Sequence, residues 1–112
     1  MKPPRLNRPL ALEAPERVVD GSGGFAVSWV LLGTHWAEVT PGTGREAGAP
    51  GGAVSRVPVK IVLRASPAGS PMRPAADQRL VDGGRVYTIL SVTERDKDGR
   101  YLVCQAREET AV

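Results

Sequence analysis

With 112 residues the chain has room for one domain and one modest core. Hydrophobic residues make up 41% of it, which excludes a wholly disordered chain, and a formal net charge of +3 permits contact with nucleic acid without demanding it. A single cysteine, Cys104, excludes an internal disulfide and a multi-cysteine zinc site, and no apolar run approaches the ~20 residues of a membrane helix.

Residues 1–7 read as a flexible basic arm containing proline, ahead of one domain at 8–112. Its positive charges precede no sustained apolar stretch, so it is not read as a secretion signal, and a cytoplasmic product is expected. The first strand is expected from Arg8 to about Val19, interrupted near Pro15. The segment "DGSGG" at 20–24 is turn chemistry. Residues 25–32 then alternate, with Phe25, Val27 and Trp29 on one side and Ala26, Ser28 and Val30 on the other. Gly33 is expected to break this run. A further strand, "THWAEVTP", puts His35, Ala37 and Val39 on one face and Trp36 and Glu38 on the other.

From Pro41 to Ser55 the chain is rich in Gly and Pro and has no aromatic residue, so a long inserted loop is expected at 41–55. "RVPVKIVLRA" resumes alternation, and Pro58, which lacks a ladder donor, predicts a sheet-edge start for that strand. "SPAGSPMRPAAD" is another connection. Asp82-Gly83-Gly84-Arg85 is the chemistry of a tight hairpin. The last pair, "VYTILSVTER" and "YLVCQARE", is joined by the polar turn "DKDG". The predicted fold class is all-β: a small β-barrel of about six or seven mostly antiparallel strands with one long Gly/Pro-rich loop. Phe25, Trp29, Trp36, Tyr87 and Ile89 are the expected core anchors.

Catalytic chemistry finds little support. His35 is the only histidine, and beside Trp36 in a strand it reads as a packed or surface residue rather than a base. Asp96 and Asp98 flank a turn without the other ligands of a calcium loop. "PGTGRE" lacks the Lys and the following helix of a phosphate-binding loop. Cys104 lies in an apolar strand and reads as a buried, inert thiol. No enzyme, cofactor or metal is expected.

Several segments taken in order do carry a likeness. "DGSGGFAVSWV", "HWAEVTPGTGRE", "VPVKIVLRA", "PAADQRLVDGGRVYTILSVTERD" and "YLVCQARE" together resemble the small head-tail joining proteins of long-tailed bacteriophages and phage-derived gene-transfer particles, the head-closure or stopper family. The likeness covers roughly residues 8–108. It implies a small β-barrel that assembles as a homo-oligomeric ring, six- or twelve-fold, at the neck of a particle made in the bacterial cytoplasm. The implied partners are a portal-bound adaptor, a tail-terminator or tail-tube protein, and packaged double-stranded DNA in the channel. The loop at 41–55 matches the segment that reaches the channel in some members, which points to Arg45, Glu46 and Arg56 for contact with DNA or a neighbouring copy. Lys2, Arg5 and Arg8 become candidates for a docking arm. Two other readings stay open: a tail terminator of the same neck, and a small nucleic-acid-binding barrel, which would interleave exposed aromatics with basic residues.

Overall fold

The computed structural model describes residues 2–42 and 54–111, and at 54–56 and 110–111 the backbone alone. Six strands build it: β1 (Arg8–Val19), β2 (Phe25–Pro41), β3 (Val54–Arg64), β4 (Arg79–Asp82), β5 (Arg85–Glu94) and β6 (Tyr101–Ala111). All pairs are antiparallel. The order β1-β2-β3-β6-β5-β4 closes on itself because β4 returns to β1, so the expected small all-β barrel is the fold observed. Closure satisfies the backbone groups around the wall without leaving an edge there.

The two strands expected on either side of Gly33 are one. Leu12 pairs with Gly33 and Glu13 with Leu31, so Leu32 is an extra residue, a β-bulge, and the ladder continues past it. Gly33 serves a close approach instead of a break: a Cβ there would run into Sδ and Cε of Met72. The bulge also reverses which residues face inward. Beyond it, His35 and Ala37 share the inner face with Leu10 and Arg8; before it, Phe25, Val27, Trp29 and Leu31 share the outer face with Val19, Arg17, Pro15 and Glu13.

The two prolines differ in outcome. The Asp20 amide donates to the Gly24 carbonyl, which makes 20/24 a hydrogen-bonded pair. Alternation then places Pro15 and Trp29 in a non-hydrogen-bonded pair, with the Pro15 nitrogen turned away from β2. The missing donor costs the hairpin nothing, and β1 passes through uninterrupted. Pro58 lies where the pairing of β3 with β2 runs out at Pro41, and N-terminal to it β3 pairs with β6 alone among the described residues, so the strand begins with one side open, as expected. The Gly42 amide still donates to the Pro58 carbonyl, so only the last rung of that ladder is lost.

The barrel interior is filled by Leu10, Leu12, Ile61, Leu63, Leu80, Tyr87, Ile89, Leu102 and Cys104, all fully buried. Each such aliphatic or aromatic side chain contributes roughly 1.5–3 kcal/mol by burial. Three of the expected anchors are not part of this core. Phe25 is 59% exposed, Trp36 is 57% exposed, and Trp29 is half-buried on the outer face. For Phe25 and Trp29 the cause is the bulge; Trp36 simply occupies the outward phase of β2, next to inward His35 and Ala37. Tyr87 and Ile89 lie in the core.

One end of the barrel is closed by the connection between β3 and β4. His35 Nε2 donates to the Met72 carbonyl at 2.7 Å, Arg73 Nη1 holds the Ser66 carbonyl at 2.9 Å, and Pro74 is buried.

Candidate functional site

Beyond the barrel wall, β1 and β2 continue as a two-stranded arm from Ala14–Val30 to the turn at 20–24. Gly21 and Gly23 adopt positive φ there, and Asp20 Oδ1 accepts from the Ser22 and Gly24 amides, so the turn is locally fixed. An isolated two-stranded ribbon is marginal in water. This one carries exposed Val19, Phe25, Val27 and Leu31 on one face and Val18 and Val30 on the other. Large apolar side chains exposed on both faces of a ribbon mark a surface built to be covered.

The base of the arm is clamped. Glu13 and Arg79 are cross-strand partners, Arg79 Nε donates to Glu13 Oε1 at 2.7 Å, and the Arg79 guanidinium lies 4.0 Å from the Trp29 ring centre. Toward the tip, Arg17 lies 4.5 Å from the Phe25 ring centre. Both are cation–π geometries.

The opposite mouth of the barrel is polar. Arg8 Nη2 donates to Asp82 Oδ2 at 2.6 Å and to the Tyr87 hydroxyl at 3.1 Å. Arg85 forms a two-pronged pair with Glu108, at 2.7 and 2.9 Å. The hydrogen bond from Arg85 holds the Glu108 carboxyl below its ordinary range, and the one to Asp82 raises Arg8. Burial pushes the Cys104 thiol up to about 12, as expected of an inert core cysteine.

β2 links these two ends. Its 17 residues, at ~3.3 Å each, match the 50 Å long axis of the molecule. The arm begins at its first residue, and the segment expected as a loop follows its last.

The N-terminal residues lie against their own barrel. The Arg5 amide donates to Glu38 Oε2 at 2.9 Å, the Asn7 amide to the Ala37 carbonyl at 3.1 Å, and Arg95 Nη2 to the Lys2 carbonyl at 2.8 Å. These contacts bracket the outer-face row Glu38, Val62, Val103 and Thr93. Val62 and Val103 are nonetheless buried, at 1% and 8% exposure, as a strap across them requires. Beside the strap is a groove of about 380 Å³ lined by Leu6, Thr34, His35, Trp36 and Arg64.

The residues singled out from sequence therefore separate. Lys2 and Arg5 are exposed on the strap. Arg8 turns toward the mouth, where its guanidinium bonds Asp82 and the Tyr87 hydroxyl. Arg45 and Glu46, with most of the loop at 41–55, lie outside the described residues, as does the Arg56 side chain; the Arg56 backbone pairs with Glu109. Sequence reading missed Glu108, Arg85 and Asp82 as a cluster, because strand residues distant in sequence meet only once the barrel closes. It also missed the apolar arm, whose alternation looked like that of a core strand. Among the described residues no group of three or more His, Cys, Asp or Glu is placed to hold a metal, and no helix is long and apolar enough to cross a membrane.

The sequence profile described as phage head completion protein matches residues 1–109. No curated protein sequence matches. Among solved structures, a chain from the virion of a native gene transfer agent particle superposes with a TM-score of 0.84 at 47% identity, over 98% of this chain and 100% of that one.

Proposed function

Since the chain belongs to the phage head completion protein family, we propose that it is a virion neck protein: a non-catalytic, ring-forming stopper that joins a DNA-filled head to its tail and helps to retain the DNA. The observation that carries this reading is the agreement of sequence and fold, over nearly the whole length of both chains, with a component of a gene transfer agent virion. A structural role in the head and neck of a phage-like particle follows from it.

The architecture suits a joint. β2 runs the length of the molecule and carries different devices at its two ends, an apolar arm and the segment 42–53. In the proposed ring, one end meets a portal-bound adaptor and the other a tail-terminator or tail-tube protein. The barrel between them is a rigid spacer. Segment 42–53 turns toward the axis, where Arg45, and Arg56 beside the segment, face DNA phosphates or pair with Glu46 of a neighbour. Ring copies supply what a Gly- and Pro-rich segment lacks alone, because neighbours pack against it.

Deleting the gene in a particle-producing cell tests the reading. Filled heads without tails, or empty heads that package normally and then leak, are expected, with restoration by the intact chain. Normal tailed particles would refute it.

A further inference from the structure

The arm and the groove are different surfaces of one molecule. Phe25 stands at the arm tip and Trp36 on the groove wall, eleven residues further along the same strand or ~36 Å at strand spacing, so the two cannot meet within one chain. The arm is a convex apolar ribbon; the groove is a recess with an exposed indole. Their charges are opposed. The arm tip carries the exposed carboxylate of Asp20, whose Oδ1 is held by the Ser22 and Gly24 amides, while Arg17 is engaged on the Phe25 ring. The groove is bordered by exposed Arg64 and, on the adjoining strap, exposed Arg5.

We propose that the arm of one copy seats in the Trp36 groove of the next, with Phe25 and Val27 against the indole and the arm-tip carboxylate of Asp20 toward Arg64. This rests on the ring reading above and names the contact that builds the ring. A projection and a recess on separate patches form a heterologous interface, which closes into a ring when the rotation between copies closes. A self-complementary patch would stop at a dimer. The contact accounts for the apolar side chains on the Phe25–Val27 face of the ribbon.

The test places the photo-reactive residue benzoylphenylalanine at position 25 and irradiates intact particles. Position 25 is exposed at the arm tip, so the barrel is unaffected. The expected product is a ladder of this chain cross-linked to itself, with the adduct mapped to Leu6, residues 34–36 or Arg64. An adduct on another particle protein, or none, overturns the arm-in-groove contact and leaves the ring reading standing. A particle that lacks this chain altogether overturns both. A second variant, Trp36→Ala, removes the exposed indole without touching the core and is expected to lower the cross-link yield by about tenfold or more, as loss of a central aromatic contact does. An unchanged yield overturns the contact.

Discussion

The Arg79 guanidinium lies 4.0 Å from the Trp29 ring centre, and this stacking ties the arm to the barrel. Arg79 belongs to β4 and Trp29 to β2, two strands that never pair; Glu13 on β1 sits between them and holds Arg79 at 2.7 Å. The arm therefore leaves the barrel at a fixed angle. Arg79→Ala should cost about 1–2 kcal/mol, from a partly buried ion pair and one cation–π contact. In a Trp36→Phe background, where Trp29 is the sole indole, the same change should shift fluorescence to the red. An unchanged spectrum would mean that the stacking does not persist in solution.

Gly33 should resist any side chain. A Cβ there meets Sδ and Cε at the flexible end of the Met72 side chain, which can swing aside at modest cost. The backbone also holds φ 159°, which residues with a Cβ rarely adopt, so Gly33→Ala is expected to destabilise by about 1–3 kcal/mol from both together. Met72→Ala removes the obstacle. The double variant should lose less than the sum of the two single ones, and additive losses in denaturant titrations would place the cost elsewhere.

Acid stability should depend on Glu108. Its folded-state pKa is depressed, chiefly by the hydrogen bond from Arg85, so its contribution is fully present above the ordinary carboxylate value and lost as pH falls through the lowered one. Glu108→Gln should be less stable than the parent at neutral pH, with the difference narrowing toward strongly acidic pH. A gap that stays constant with pH would show that the pair contributes through packing alone.

Cys104 should be silent to thiol reagents in the folded protein. Its thiol is buried in the core and held protonated, with a pKa pushed up to about 12. Reaction should appear only with denaturant, following global unfolding. A rate in native buffer close to that of the unfolded chain would contradict the barrel interior described above.

Much of this architecture was legible from local chemistry. The turn at Asp82-Gly83-Gly84-Arg85, the span of β1 and the pairing of the last two strands all follow from alternation and glycine placement. What escaped is what depends on register. One extra residue, Leu32, turns Phe25 and Trp29 outward, and nothing in the local pattern distinguishes a bulge from a strand break at Gly33. The engagement of Arg8 with Asp82 and Tyr87 was not visible because both are more than 70 residues away in sequence. Pro15 misled similarly: the consequence of a proline in a strand depends on which way its nitrogen points, and only the pairing decides that. The family likeness was visible in the order of motifs, but the arm as a surface required coordinates.

The most direct test of the account is cryo-electron microscopy of the particle neck. The account predicts a closed ring of small six-stranded barrels between head and tail, with the arm and the segment 42–53 toward opposite ends of each barrel and that segment turned to the axis. Finding this chain in the capsid shell or along the tail tube, with no such ring at the neck, would contradict it.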